Sequence, residues 1–201
     1  MKALLTIIEQ LKYSGTEPAI IMNVVALVGM PGSGKSEVAG VFESCGYQKI
    51  RFGDITDEEV KRRGLKLNEE NERLTREELR KQQGMAAYAI LNLPGIEAAL
   101  KISNVVIDGL YSWEEYKYLK DKLGGRLKTV AVWAPPGLRY ARLTNRPVRP
   151  LTAGQAGERD YAEIENVNKG GPIAMADYTI SNCSSLDSLV EQSNNIIKVL
   201  K

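Results

Sequence analysis

The sequence predicts an α/β fold in which a parallel sheet of five strands is covered by helices on both faces. Three observations carry this expectation. Short apolar runs rich in β-branched residues recur along the chain, stretches of helical pattern separate each run from the next, and a glycine-rich loop joins the first run to the first helix. Parallel strands buried on both faces read as continuous apolar runs, and each needs a crossover to reach its neighbour.

The first strand is Met22-Asn23-Val24-Val25-Ala26-Leu27-Val28. Directly behind it stands Gly29-Met30-Pro31-Gly32-Ser33-Gly34-Lys35-Ser36, which fits the spacing G-x-x-x-x-G-K-[ST]. Glycines let the backbone wrap a polyphosphate closely, so that successive N–H groups point at phosphate oxygens. Lys35 is placed to reach the β- and γ-phosphates, the Ser36 hydroxyl is the expected magnesium ligand, and the helix starting near Gly34 adds the positive end of its dipole. Val38, Ala39, Val41 and Phe42 continue as an apolar helical stripe closed by Cys45-Gly46. Strand, loop and helix in this order predict a site for a nucleoside triphosphate.

Four more strands are expected over Tyr47 to Phe52, Val105 to Ile107, Thr129 to Trp133 and Tyr178 to Ile180. Helices are expected over Asp57 to Arg63, Arg76 to Leu93, Trp113 to Leu123, Leu138 to Thr144 and Leu186 to Leu200. Two segments read as insertions in a single domain spanning 22–201. Residues 56–100 are charged and helical and suit acceptor binding, whereas 145–171 mix prolines, glycines and alternating charges, as a mobile lid does.

The third run ends in a carboxylate, Val105-Val106-Ile107-Asp108-Gly109, where an acid holding magnesium directly or through water belongs. Asp108 is therefore the second expected metal residue beside Ser36; helix capping is the competing role, and Ser112 is better placed for it. Asp54 follows the second strand and is a candidate to orient the acceptor or take its proton, with an N-cap role equally open. The lid segment brings arginines together, and Arg142, Arg146 and Arg149 are the candidates for neutralising charge on a transferring phosphoryl group. Arg80 is the candidate grip on an acceptor in the first insertion.

At 201 residues, 43% apolar and 26% charged, the chain can bury a real core. A net charge of +2 argues against nucleic acid or an anionic membrane as an obligatory partner. With no histidine and only Cys45 and Cys183, the usual zinc sites and Ser-His or Cys-His nucleophiles are excluded. Two lone cysteines suit a reducing cytoplasm and are expected to be buried. Residues 1–21 carry Leu4, Leu5, Ile7, Ile8 and Leu11 at helical spacing, without a signal-peptide pattern and too polar to span a bilayer. They are expected to be a helical extension, an appendage or a helix packing on the core or on a second copy in a homo-oligomer.

The phosphate loop through Ala39, Gly53-Asp54, the stretch Glu58 to Leu65, Leu79-Arg80, Val106-Ile107-Asp108-Gly109 and Ala176 to Asn182 together resemble the P-loop nucleotide kinases of the adenylate kinase and dephospho-CoA kinase type. More closely the chain resembles the UPF0200 group of adenylate-kinase-related proteins. The resemblance implies a P-loop NTPase core of three α/β/α layers around five parallel strands, ATP with magnesium, an acceptor-binding insertion and an arginine-bearing lid. It also implies that Asn182 and Ser184 lie near the nucleobase. Two arginines usual in such kinases are replaced: Asp57 stands where a cation soon after Gly53-Asp54 is expected, and Leu110-Tyr111 follow Asp108-Gly109. These departures argue against a standard nucleoside monophosphate acceptor.

The expected activity is transfer of the γ-phosphoryl group of ATP to a small nucleotide-like or hydroxyl acceptor. The alternative is an ATP-dependent switch or binding protein with little kinase activity.

Overall fold

Val24–Val28, strand β1, is buried at every position, as a strand flanked on both sides and covered on both faces must be. The computed structural model describes residues 22–148 and 150–200. In it β1 pairs in parallel with β3 (Val105–Asp108) on one side and with β4 (Leu127–Trp133) on the other. β2 (Gln48–Arg51) adds beyond β3 and β5 (Tyr178–Ser181) beyond β4, giving the order β2-β3-β1-β4-β5 with every pair parallel. The order reverses direction beside β1, and a ligand crevice opens at the carboxyl ends of strands at such a switch point.

The helices are α1 (Lys35–Ser44), α2 (Asp54–Arg62), α3 (Glu69–Gln83), α4 (Ala87–Ala99), α5 (Trp113–Leu123), α6 (Pro136–Asn145), α7 (Ala153–Glu165), α8 (Gly170–Ala174) and α9 (Leu186–Leu200). Side chains alternate across the sheet, so the three inner strands β1, β3 and β4 feed two cores. Val24, Ala26, Val28 and Ile107 pack with Tyr88, Ile96 and Leu119 of α4 and α5. On the opposite face Val25, Leu27, Val106 and Val130 meet Val38 and Phe42 of α1 and Leu189, Ile196 and Ile197 of α9. Fully burying one such side chain contributes about 1.5–3 kcal/mol, which is what clamps three layers together.

The expected helix from Arg76 to Leu93 is two helices. Gly84 adopts a φ of 76° and ends α3, which begins earlier, at Glu69, behind the cap Asn68, whose side chain accepts from Asn71 N at 2.9 Å. The lid segment is mostly helical rather than loop. Thr152 and Gln155 form a reciprocal capping box that launches α7, and Gly154 and Gly157 had hidden its pattern. Ser112 caps α5 in the same way with Glu115. Both cysteines are exposed, against expectation, because Cys45 lies in the turn that ends α1 and Cys183 beyond the last strand. Among the described residues no helix is long and apolar enough to cross a membrane. The expected helical extension 1–21 and the candidate Arg149 lie outside the described residues.

Candidate active site

A cleft of about 1270 Å³ opens at the carboxyl ends of the central strands, between the phosphate loop, α3 and the lid. Its floor is Pro31, Gly32, Lys35, Ser36, Asp108 and Gly109; one wall comes from Arg51, Asp57, Arg76 and Arg80, the other from Arg146, Arg159, Glu163 and Lys169.

The loop can form only with glycine at its tight points. Gly34 has φ 100°, and a Cβ there would stand 2.2 Å from Asn182 Nδ2; a Cβ on Gly29 would meet the Val132 carbonyl oxygen at 2.4 Å. The loop carbonyls are tied from behind. Asn182 Nδ2 donates to Ser33 O at 2.8 Å, Arg142 Nη1 to Gly32 O at 3.4 Å and Arg139 Nη1 to Pro31 O at 3.1 Å. With those carbonyls turned away, the N–H groups of the first turn of α1, which have no intrahelical acceptor, are left for an anion.

Lys35 Nζ donates to the carbonyls of Gly29 and Met30 at 2.9 and 3.2 Å. Burial, and after it the charge of Lys169, lowers its ammonium to about 7, against the opposing pull of Glu163 and Asp108. Phosphate oxygens would reverse that shift, so this lysine is held in wait of negative charge. Asp108 is the last residue of β3, in register with Leu27 of β1 and Arg51 of β2, and its carboxylate and the Ser36 hydroxyl border the same cleft. Two hard oxygen donors beside a phosphate cradle fit magnesium, which takes its remaining ligands from phosphate and water. Among the described residues no group of three or more His, Cys, Asp or Glu assembles a metal site of its own.

On the first wall of the cleft, Arg51 Nη1 lies between Asp54 at 2.7 Å and Asp57 at 2.9 Å. Arg76 Nη2 meets Glu69 at 2.8 Å. Arg80 lies 5.5 Å above the Tyr88 ring with its Nε buried and without a hydrogen-bond partner, while the Tyr88 hydroxyl pairs with Thr56 Oγ1 at 2.5 Å. Behind this wall Glu115 is fully buried. Its Oε2 accepts from Tyr111 N and Ser112 N, and burial pushes its carboxyl up to about 7 despite those bonds.

Several expected site residues take other positions. Arg142 does not border the cleft: Nη2 donates to Asn182 O at 3.0 Å and Oδ1 at 3.2 Å, so it braces the loop rather than facing phosphates. Asn182, with its amide committed to Ser33 and Arg142, braces the loop too. Asp54 lies off the cleft, paired with Arg51, and Asp57 is the carboxylate that borders it. Arg80 and Arg146 both border the cleft. Arg51, Glu163 and Lys169 were not anticipated, since each belongs to no motif and only the sheet register and the folded lid bring them to the site.

A phosphate cradle at the switch point of a five-stranded parallel sheet covered by helices defines a P-loop kinase-like fold. Solved structures share this fold: a shikimate kinase from Bacteroides thetaiotaomicron (TM-score 0.57, 16% identity, 89% of this chain and 98% of that chain) and a gluconokinase from Sinorhizobium meliloti (TM-score 0.56, 18% identity, 90% and 94%). The family model described as an AAA domain matches residues 25–166. The chain belongs to the UPF0200 family: it is 36% identical over 178 residues to the UPF0200 protein of Thermococcus kodakarensis, covering 87% of this chain and 96% of that protein.

Proposed function

We propose that the protein is an ATP-dependent kinase whose acceptor is a small hydroxyl-bearing molecule and not a nucleoside monophosphate. The observation that carries this reading is the pairing of the acceptor wall: Arg51 is held by Asp54 and Asp57, and Arg76 by Glu69, so two of the wall's three guanidinium groups are already compensated and Arg80, over the Tyr88 ring, is left to meet the acceptor. Glu72 and Glu77 add further carboxylates to that wall. The structurally similar proteins named for shikimate and gluconate support it, since both names denote polyhydroxylated acceptors.

In this reading the loop from Gly29 to Ser36 cradles the phosphates of ATP, and Lys35 and Arg146 neutralise them. Magnesium, held by Ser36 and Asp108, would screen charge between the β- and γ-phosphates when bound. The acceptor hydroxyl oxygen bonds to the γ-phosphorus, the bond from that phosphorus to the β,γ-bridging oxygen breaks, and ADP leaves. The hydroxyl proton passes to the Asp57 carboxylate, oriented by Arg51. Arg80 and the Tyr88–Thr56 pair position the acceptor, residues 56–100 form its binding segment, and residues 145–171 close as the lid.

The test is incubation with magnesium and γ-labelled ATP against neutral polyols, hydroxy acids, dephospho-CoA and nucleoside monophosphates. Label in a hydroxyl acceptor, lost in Lys35→Ala and strongly reduced in Asp57→Asn, is the expected result. Label in a nucleoside monophosphate refutes the acceptor class, and label only in inorganic phosphate favours a switch that hydrolyses ATP.

A further inference from the structure

Lys169 is 2% exposed, an unusual place for a charged lysine. It precedes the short helix α8 at the far end of the lid, and its ammonium pairs with the Glu163 carboxylate of α7. It also lies 5.1 Å from the centroid of the Tyr111 ring, whose hydroxyl packs against Gly109, the residue after Asp108. Glu163 is shared: its Oε1 accepts from Arg159 Nε at 3.2 Å. Lys35, Arg159, Glu163 and Lys169 all border the one cleft.

Burying an ion pair is costly, and well-packed apolar residues of the same size often serve stability as well or better. A buried lysine retained at a phosphate cradle therefore calls for a role that an apolar side chain cannot fill. Lys169 and Arg159 both pair with Glu163, while Lys35, Asp108 and these three share the one cleft, so three cations stand against two carboxylates at the mouth of the loop. Burial by itself would raise the Glu163 carboxyl; Lys169, through charge and hydrogen bond, and then Arg159 and Lys35 hold it below the ordinary carboxylate value. Glu163 is thus an anion among phosphate-binding groups and a poor proton acceptor.

We infer that Lys169 is a second phosphate-binding lysine, which contacts the terminal phosphate of the bound nucleoside triphosphate from the lid side, with Glu163 as the internal anion that holds it in position and gives it up to that phosphate. The inference rests on the reading of the cleft as an ATP site. It gives the triphosphate a partner absent for the diphosphate, so the lid distinguishes ATP from ADP. Competition between Glu163 and the γ-phosphate sets how readily the lid takes hold.

Calorimetric titration of the full chain with the magnesium complexes of β,γ-imido ATP and of ADP tests this. Lys169→Met is expected to weaken the triphosphate analogue about tenfold or more, as loss of a charge-assisted hydrogen bond does, with ADP changed less than about threefold. Lys169→Arg is expected to recover most of the loss. Glu163→Gln removes the competing charge at constant shape and is expected to tighten the analogue while leaving ADP unchanged. Equal weakening of both nucleotides in Lys169→Met would reveal a structural lysine and overturn the inference. Should that variant fail to fold, an unchanged ratio of the two affinities in Glu163→Gln overturns it equally. Failure of the wild-type protein to bind either nucleotide would refute the ATP reading itself, whereas nucleotide binding indifferent to both variants refutes only the role of Lys169.

Discussion

The guanidinium of Arg139 forks onto the carboxylate of Asp160, Nη1 to Oδ1 at 2.9 Å and Nη2 to Oδ2 at 2.5 Å, and joins the start of α6 to the lid helix α7. Its Nε also donates to Ala134 O, and the Tyr140 hydroxyl donates to Asp160. Both side chains are almost fully buried, so removing one partner strands the other charge. Arg139→Met is expected to cost about 3–5 kcal/mol in urea unfolding. Arg139→Met/Asp160→Leu is expected to recover much of that loss, while nucleotide binding stays impaired because Pro31 O has lost its donor. Equal stability of the single and double variants would contradict this account.

Lys35 gives a pH dependence of definite sign. With its folded value near 7 against an ordinary 10.5, the unfolded chain binds a proton that the folded chain lacks between those values, so stability attributable to this residue rises across that window. The stability gap between Lys35→Met and wild type is therefore expected to favour the variant at pH 6 and to narrow as pH climbs towards 10. Nucleotide binding has the complementary signature. Phosphate oxygens raise the lysine, and titrations near pH 8 in buffers of different ionisation enthalpy should report proton uptake in the wild type and less in Lys35→Met.

Glu115 behaves oppositely. Burial raises its carboxyl from 4.5 to about 7, so in that window the folded state holds a proton the unfolded chain has lost, and stability falls as pH rises. Glu115→Gln, which keeps an acceptor for Tyr111 N and Ser112 N, is expected to be more stable than wild type at pH 8 and indistinguishable from it near pH 4. Thermal unfolding across pH measures the difference, at about 2–4 °C per kcal/mol for a chain of this size.

Asn182→Ala removes the brace that joins β5 to the phosphate loop. Ser33 O loses its donor and Arg142 loses one acceptor, which is expected to cost about 1–3 kcal/mol of stability. ATP affinity should fall with it through the loosened loop, without a change in preference among nucleobases. A variant that altered base preference at unchanged stability would restore the role of nucleobase contact to Asn182.

The fold was largely legible because its signals are local. A glycine loop between an apolar strand and a helix, and four further apolar runs, need no knowledge of partners to read. The donor half of the site follows from the same locality, since the loop and Asp108 are adjacent to the strands that present them. Arg51 was hidden because its importance comes from register: it pairs with Asp108 across β2 and β3, 57 positions away in sequence. That register also accounts for Asp57, which takes the place of an expected cation because it pairs with one from the strand before. The lid misled twice, through glycines that masked a capped helix and through arginines whose number suggested phosphates although Arg139 and Arg142 serve the backbone of the loop. Lys169 carries no signal beyond its own letter, and its neighbours, Glu163 of α7 and Tyr111 beyond β3, meet it only in the folded chain.

The central claim is that Gly29 to Ser36 binds a nucleoside triphosphate through Lys35. Titration of the protein with the magnesium complex of a non-hydrolysable ATP analogue, wild type beside Lys35→Ala, tests it most directly. Saturable binding at one site per chain is expected, weakened by about two orders of magnitude in the variant, as loss of a charged hydrogen-bond donor implies. Equal affinity in the two proteins, or none in the wild type, would contradict it.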